Sequence, residues 1–176
     1  IGGQDVSEIH RGHVAFVMGA KSVKPDIRVL NNFVGDWNDL AGAKEAALTQ
    51  INAGADVLWQ SGDGIGLATL QTCKEKGLLC FGNTTVQTQL APENVVASFV
   101  YDWSAVYAQM INQTAEKSFG NQIIWAEFAN KGVYIDYNQS LKKLITPEMQ
   151  SAVDAAIKGF VEGTLDLGDL DAAKLE

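Results

Sequence analysis

The sequence predicts an α/β fold in which a parallel sheet lies between helices, in a three-layer α/β/α arrangement. Segments with apolar residues at helical spacing alternate along the chain with short segments that are almost continuously apolar. Strands of that second kind are typical of parallel sheets that are covered on both faces. The 176 residues are 47% hydrophobic and 19% charged, which is enough apolar material for one packed domain.

The first half of the chain predicts three helices and three strands. A helix over residues 7–22, with Ser7 available as its cap, is followed by a strand over 27–34. Asp39 has the position of an N-cap, and Gly54 has that of a glycine that ends a helix. The remaining elements are a strand over 56–59, a helix from Gly62 to Gly77 and a strand over 78–82.

The second half predicts a strand over 95–100 and then a helix with one apolar face. That face is expected to hold Trp103, Val106, Tyr107, Met110, Ile111 and Thr114. Residues 123–125 and 132–137 are expected to be extended. A last helix from Pro147 is expected to bury Met149, Val153, Ala156, Ile157 and Phe160. The acidic tail, residues 165–176, is expected to fray.

Charge and termini narrow the class of protein. The net charge is −8 and the basic residues are scattered, which disfavours nucleic acid or an anionic membrane as a partner. No apolar run is long enough to span a membrane. The first residues resemble the interior of a fold rather than a start. We therefore expect the chain to be a fragment, and the missing signal peptide indicates nothing about compartment.

The cysteines and histidines each allow two interpretations. Cys73 and Cys80 flank a predicted turn from helix to strand, so they are either two buried thiols, which we favour, or a disulfide. His10 and His13 lie three residues apart on a predicted helix and could share a metal. Because no further ligand completes such a site, packed or surface histidines are the better interpretation.

The predicted sheet places three loops at one edge. Ligands bind beyond the carboxyl ends of parallel strands, and here these ends lead into residues 35–39, 61–64 and 83–87. Trp37 lies in the first of these loops, among polar residues. It either plugs the end of the core or offers a flat face to a ring such as a base or a sugar.

Signatures of catalysis are missing from the sequence. There is no G-x-S-x-G elbow and no Walker A lysine motif, and residues 62–66 lack the G-x-G-x-x-G spacing. Asp36 and Asp63 follow strands and could form a carboxylate pair, but the sequence does not fix their separation. We therefore predict a binding protein that is not an enzyme and uses no metal and no cofactor.

Seven segments carry a joint pattern in chain order. They are residues 2–5, 34–39, 44–47, 54–57, 62–66, 81–83 and 90–98. Together they resemble the basic membrane protein family of substrate-binding lipoproteins of ABC transporters. The resemblance implies a type I periplasmic-binding fold with two α/β lobes hinged around a ligand. It implies that residues 1–176 are the carboxyl-terminal lobe, that 95–119 cross to a missing amino-terminal lobe, and that 165–176 are a tail.

The same resemblance implies roles for particular residues. Trp37 matches an aromatic residue that stacks on the base in nucleoside-binding relatives, and Asp36 lies beside it. Asp63 and Gly64 match a loop that lines the cleft, and Asp5 lies in the family's first crossover loop. The implied protein captures a nucleoside for a membrane permease. It is extracytoplasmic and anchored as a lipoprotein.

Two positions depart from the family pattern. Asn83 stands where the family has an aspartate that holds ribose hydroxyls, and Tyr101 stands near the position of a ligand-binding lysine. An amide binds a hydroxyl without the strength that charge adds. A nucleoside is therefore the favoured ligand class, and another small polar or aromatic solute stays open.

Two alternatives to a transport function remain. The same fold serves as the effector-binding domain of transcription regulators, and a hydrolase would use Asp36 and Asp63. In the implied fold, the helix face over residues 103–114 packs on the amino-terminal lobe. Without that lobe, we expect the face to form a homodimer, to enter a domain swap or to dock on its own lobe.

Overall fold

Four strands form one sheet, and five helices pack around it. The computed structural model describes residues 1–120 and 122–175. The strands, in their spatial order, are β1 (Val57–Trp59), β2 (Leu79–Thr84), β3 (Val95–Tyr101) and β4 (Val133–Tyr137). The helices are α1 (Ser7–Val23), α2 (Leu40–Asn52), α3 (Asp63–Lys76), α4 (Ser104–Ala115) and α5 (Pro147–Glu162), with a 3₁₀ helix over Gln139–Leu144.

The strands run in both directions. β1, β2 and β3 are parallel, as the apolar segments predicted, whereas β4 pairs with β3 in the antiparallel direction. The sheet is therefore mixed rather than wholly parallel. An antiparallel strand at the edge of a parallel sheet needs no helix over both faces, and β4 is accordingly only partly buried beyond Val133.

The amino-terminal residues extend the sheet beyond β1. Gly2 forms parallel bridges with both Phe33 and Ser61. Its N–H donates to the carbonyl of Asn32 at 2.8 Å, and the N–H of Val34 donates to the Gly2 carbonyl at 2.9 Å. The strand predicted over 27–34 is wrong as a continuous element, because the short segment 1–3 gives it few residues to pair with. What remains is a single bridge at Phe33.

These bridges define a reversal in the order of the extended segments. The first extended segment of the chain, residues 1–3, lies between the second one, around Phe33, and β1. Strands β2, β3 and β4 then follow β1 in order. This is the 2-1-3-4-5 order of flavodoxin-like folds with an added antiparallel edge strand. A crevice opens where the order reverses, between the first segment and β1.

Helices cover both faces of the sheet. Leu58 of β1 joins the main core, with alanines of α2 and with Ile65 and Leu70 of α3. The next residue, Trp59, stacks instead on Phe16 of α1, with ring centroids 4.7 Å apart. Successive side chains of a strand point to opposite faces, so α1 and the α2–α3 pair lie on opposite sides. The predicted three-layer α/β/α arrangement is confirmed.

The predicted helix ends of α2, α3 and α5 are confirmed, whereas Ser7 is the first residue of α1 and not its cap, since Val6 holds that position without a side-chain hydrogen bond. Asp39 Oδ1 accepts the N–H of Gly42 at 2.9 Å, and Gly54 follows α2 with φ +98°. Gly77 ends α3 in the left-handed conformation. The Thr146 hydroxyl accepts the N–H of Met149 at 3.3 Å, so α5 begins at Pro147 as predicted. Such caps satisfy backbone groups that have no partner inside the helix.

The second half is packed less closely than its periodicity predicted. No residue of α5 is buried, and Met149 and Phe160 are 56% and 43% exposed. The prediction that α5 buries its apolar stripe is therefore wrong, because Phe160 stacks on Phe128 of a turn rather than on the sheet. Residues 123–125 form no strand. Strand β3 belongs to this sheet, and a crossing to another lobe beyond Tyr101 stays a prediction.

Two further expectations are settled by packing. Cys73 and Cys80 are free, fully buried thiols, as favoured, and a hydrogen bond between them is the main reason why the pKa of Cys80 is raised. The tail, which was expected to fray, contacts α1 in this structure: the Asp171 carboxylate accepts a hydrogen bond from the Ser7 hydroxyl, while residue 176 lies outside the described residues. Among the described helices, none combines the length and apolar character needed to cross a bilayer.

Candidate functional site

A cavity opens at the reversal point, beyond the carboxyl ends of the parallel strands. Its volume is about 320 Å³, which is at the lower end for pockets that hold small ligands. Loops after the segment around Phe33, after β1 and after β2 contribute to its lining, together with the end of β3 and the start of α1. The lining residues are Glu8, Ile9, Trp37, Ser61, Gly62, Asp63, Asn83, Thr84, Tyr101 and Trp103.

Four residues singled out from the sequence line this one cavity. They are Trp37, Asp63, Asn83 and Tyr101. They come from four different stretches of the chain, and the parallel strands bring them together because their carboxyl ends lie at one edge. The agreement concerns position only, because distances between these side chains cannot be predicted from the sequence.

Three other predicted site residues have local roles and do not line the cavity. The Asp5 carboxylate pairs with His10 Nδ1 at 2.9 Å. Asp36 accepts the N–H of Asn38 at 2.7 Å, which fixes the turn that carries Trp37. Gly64 lies in the first turn of α3, where a Cβ would come within 2.9 Å of the Asn38 Cα atom. Asp36 and Gly64 thus shape the loop around Trp37.

Trp37 is held against the backbone of the first segment. A Cβ at Gly3 would clash with the indole ring, so the side chain lies on a surface that only glycine leaves open. The Gly3 carbonyl accepts the N–H of Gly35 at 2.7 Å, and the Trp37 carbonyl accepts that of Ile65 at 3.2 Å. The ring is half-buried and also lines the cavity. It therefore both covers the end of the core and offers an aromatic surface to the cavity.

A second aromatic surface comes from the end of β3. The rings of Tyr101 and Trp103 are stacked, with centroids 5.6 Å apart and planes 7° from parallel, and Phe99 meets Tyr101 edge-on at 5.4 Å. Burial, followed by the negative charge of Glu8, raises the pKa of Tyr101. The phenol is therefore neutral at physiological pH. Trp103 is 45% exposed, so part of its ring is available for contact.

Two polar side chains of the cavity have no hydrogen bond to the rest of the described chain. Among the described residues, no hydrogen bond uses the side chain of Asp63 or the side-chain amide of Asn83. The backbone N–H of Asn83 instead donates to Gln87 Oε1 at 2.9 Å, and Gln60 Nε2 donates to the same oxygen at 2.9 Å. Gln87 thereby joins the ends of β1 and β2. A carboxylate and an amide remain available for a ligand.

Backbone strain marks the same loop. Thr84 has φ +73°, a left-handed conformation that β-branched residues rarely adopt. Such outliers persist where the surrounding structure fixes them, and they are concentrated at ligand sites. The Ser98 hydroxyl, which accepts the N–H of Gln87 at 3.1 Å, supports this turn from β3.

A buried histidine supports the floor of the cavity. His13 Nε2 lies 2.8 Å from the Ser61 hydroxyl, and Nδ1 lies 3.2 Å from Asn31 Oδ1. Burial, with the nearby amino terminus as the second cause, lowers the pKa of His13 to about 4. His13 is therefore neutral and holds Ser61 in place. His10 lies against Asp5 and Ala173, so the structure does not bring the two histidines to a common metal site.

Sequence reasoning missed several lining residues for identifiable reasons. Glu8 and Ile9 follow a three-residue strand segment that contains two glycines, which carries no strand signal of its own. Trp103 has helical spacing with Tyr107, and this favoured an interpretation as a packing residue of α4. Thr84 has no signal in the sequence, since its unusual backbone is visible only in the structure.

Comparisons with known proteins identify a matching family and several relatives. The family described as PnrA-like substrate-binding proteins of ABC transporters (Bmp) matches residues 1–163. A purine-binding protein of Brucella abortus is 30% identical over 125 residues, which are 71% of this chain and 35% of that protein. The transcriptional activator protein med of Bacillus subtilis is 33% identical over 98 residues, which are 56% of this chain and 31% of that protein.

A solved structure shows the same fold. The solute-binding protein of an ABC transporter system from Conexibacter woesei superimposes with a TM-score of 0.77 at 20% identity, over 96% of this chain and 56% of that one. The chain spans about a third of the length of the two sequence relatives. Because the family match covers most of the residues, the chain belongs to the Bmp family of PnrA-like substrate-binding proteins of ABC transporters, which are not enzymes.

Proposed function

We propose that this chain forms one wall of the ligand site in an extracytoplasmic solute-binding protein, and that the solute is a nucleoside or a similar aromatic compound. The observation that carries the proposal is a single cavity lined by aromatic surfaces and by unengaged polar groups. The aromatic surfaces are Trp37, on one loop, and Tyr101 and Trp103, at the end of β3. The polar groups are Asp63 and Asn83, which follow β1 and lie in β2, respectively. The purine-binding relative supports the same ligand class.

The chemistry of the lining suits a nucleoside. A base has a flat π-face that stacks on Trp or Tyr, a contact worth about 1–3 kcal/mol per base. Ribose hydroxyls donate to carboxylates, and Asp63 and Glu8 supply two of these on the cavity wall. The Asn83 amide can both donate and accept, so it suits a hydroxyl or a ring nitrogen. No group in this set requires a metal or a catalytic step.

The second wall comes from outside this chain in the proposal. The matched relatives are about three times as long as the aligned region, and the cavity is open on one side. Closure of a second lobe would bury the ligand and exclude water, which strengthens polar contacts. A membrane permease would receive the solute, and a lipid anchor on the complete protein would hold it near that permease.

Calorimetry on the full-length protein with adenosine, guanosine and inosine tests this proposal. Trp37→Ala should weaken binding about tenfold or more, because the stacking surface is lost. Asp63→Asn should weaken it as well, whereas Trp125→Ala is the matched control, since Trp125 is 57% exposed and lies outside the cavity lining. If Trp37→Ala leaves the affinity unchanged, Trp37 is not in the site. If none of the three nucleosides binds, the ligand is a different solute.

A second candidate function is the effector-binding domain of a transcription regulator. It is favoured by one observation, the similarity to the transcriptional activator of Bacillus subtilis. The two candidates differ at the amino terminus of the complete protein. A helix-turn-helix there would support a regulator, and a signal peptide followed by a lipid-modified cysteine would support the transport protein.

A further inference from the structure

The segment after α5 returns to the beginning of α1. We call residues 164–175 the docked tail. Its Asp171 carboxylate accepts a hydrogen bond from the Ser7 hydroxyl and another from Arg11 Nη1 at 3.2 Å. Near its end, the Ala173 carbonyl lies 2.8 Å from His10 Nε2. Three side chains within about one turn of a single helix, at positions 7, 10 and 11, therefore meet the same segment.

The tail has internal order that places these groups. Asp169 Oδ1 accepts the N–H groups of Asp171 and Ala172 at 3.1 and 3.2 Å. Asp166 Oδ1 accepts the N–H of Gly168 at 2.8 Å, and Gly168 has φ +68°. Side chains of this kind stabilise turns by bonding to their own backbone. The tail thus presents Asp171 and the Ala173 carbonyl from fixed turns.

The contacts of His10 specify its protonation state. Its Nδ1 lies 2.9 Å from Asp5 Oδ1, and its Nε2 lies 2.8 Å from the Ala173 carbonyl oxygen. Both partners only accept hydrogen bonds, so each ring nitrogen must carry a hydrogen. A neutral imidazole has one N–H, whereas the imidazolium has two. The geometry therefore fits the charged form alone.

The charges around His10 act in the same direction. Asp5 precedes α1 and Asp171 approaches from the tail, and both negative charges raise the pKa of His10 against burial, which lowers it. The hydrogen bond to Ala173 comes first among the causes that raise the pKa of His10, and the one to Asp5 comes second. A raised pKa in the docked state means that docking is favoured at low pH. Docking weakens as the pH rises through that pKa.

We propose that the amino-terminal half of α1 is a docking surface for the chain's own acidic tail, and that protonated His10 makes the docking depend on pH. The surface adjoins the cavity, because Glu8 and Ile9 of the same turn line it. The docked tail holds this turn, and release at higher pH frees one rim of the cavity. The inference stands on the contacts of the tail and does not depend on which ligand is bound.

Nuclear magnetic resonance on the 176-residue chain tests the proposal, because the pKa values of its two histidines should be shifted in opposite directions from the ordinary value. His10 should titrate above the ordinary histidine value, and His13, with its pKa lowered to about 4, should titrate far below it. The heteronuclear NOE of residues 169–173 should fall in step with the deprotonation of His10. A tail that keeps its order across the His10 titration would overturn the proposal.

Two variants separate docking from a general loss of structure. Asp171→Asn should lower the pKa of His10 and speed amide exchange in the tail about threefold, because exposed ion pairs contribute little individually. Asp154→Asn on α5 is the matched control and should change neither. In both variants the low pKa of His13 reports that the fold is intact. A chain ending at Gly163 should lower the pKa of His10 toward the ordinary value, since Asp5 stays in place but Ala173 and Asp171 are gone; an unchanged His10 titration in that chain would contradict the proposal.

Discussion

The two parts of the chain on either side of residue 101 differ in how they are packed. Up to that point, side chains interlock on both faces of the sheet. The largest fully buried ones are Leu58, Ile65, Leu70, His13, Gln60, Val95, Thr69, Thr72, Cys73, Cys80 and Ser98. After it, among the described residues, only Val106, Gly132, Val133 and Asn138 are buried. Large apolar side chains there are exposed instead, as at Tyr107, Ile111 and Trp125.

The difference indicates where the fold supports itself. Residues 1–101 carry a core and most of the cavity lining on strand ends, so those lining groups are held by packing. Trp103 lies just beyond the boundary, at the start of α4, whose residues are mostly exposed. The cavity is therefore built from a rigid wall and from one residue on a loosely held element. Packed cores change little in shape, so, apart from the α1 turn under the docked tail, we expect movement at the site to occur on the α4 side.

The largest expected effect contrasts one core residue with one exposed residue. Leu58→Ala should lower the free energy of unfolding by about 3 kcal/mol, because Leu58 is 2% exposed in the main core. Ile111→Ala should change it by less than about 0.5 kcal/mol, because Ile111 is 68% exposed on α4. Urea unfolding followed by circular dichroism measures both. Equal losses would show that the second region is as tightly packed as the first.

The next effect comes from pH and concerns the floor of the cavity. His13 is buried as a neutral ring with its pKa lowered to about 4 from 6.5. The unfolded chain binds the proton more readily in this range, so stability is full above pH 6.5 and falls as the pH decreases toward 4. Between pH 8 and pH 5 the expected loss is about 2 kcal/mol.

A variant isolates this contribution. The amino group of Ile1, whose burial lowers its pKa to about 5, also destabilises the chain on acidification. His13→Gln keeps Ile1 and His10, so the difference in pH dependence between the two chains belongs to His13. Unfolding curves at several pH values measure it. Identical pH dependence in both chains would mean that His13 is not buried as a neutral group.

The secondary structure and packing of the two regions could be predicted from the sequence to different extents. Elements in residues 35–101 were predicted well because Asp39, Gly54 and Gly77 mark helix ends by backbone requirements that depend little on the rest of the fold. The segment 1–3 was missed, since its pairing depends on two distant partners, Phe33 and Ser61. Periodicity correctly gave the apolar stripe of α5. It could not indicate what covers the stripe, because that depends on tertiary contacts.

The site shows a corresponding division. Trp37, Asp63 and Asn83 were predicted to line one cleft because their loops follow strands at the same edge of the sheet, and Tyr101 was added by the family resemblance; all four line the cavity. Asp5 was assigned by position in a crossover loop, and its pairing with His10 could not be anticipated without the tail. A position at the end of a strand can be predicted from the sequence. A contact between a side chain and a backbone carbonyl 163 residues away, as between His10 and Ala173, cannot.

Helix caps give a smaller contrast of about 1 kcal/mol. Asp39→Ala removes the acceptor for the Gly42 N–H at the start of α2, whose alanines lie in the main core. It should lower the global free energy of unfolding by about 1 kcal/mol, and Asp39→Asn should restore most of it. Thr146→Ala removes the equivalent contact of α5. We expect it to speed hydrogen exchange at Met149 with little global effect, since α5 has no buried residue. Equal losses in the global free energy of unfolding for Asp39→Ala and Thr146→Ala would contradict the difference in packing between the two parts of the chain.

The smallest effect on stability belongs to the exposed face of α4, where the readout is association. Tyr107 and Ile111 are 58% and 68% exposed, so replacing both with serine should change the free energy of unfolding by less than about 0.5 kcal/mol. The same double variant should reduce self-association in sedimentation velocity, because exposed apolar patches drive contact between copies. Asn112→Ser is the matched control on the same helix. A wild-type chain that is monomeric at all concentrations would show that this face does not mediate association, and the loose region would then be stable without a cover.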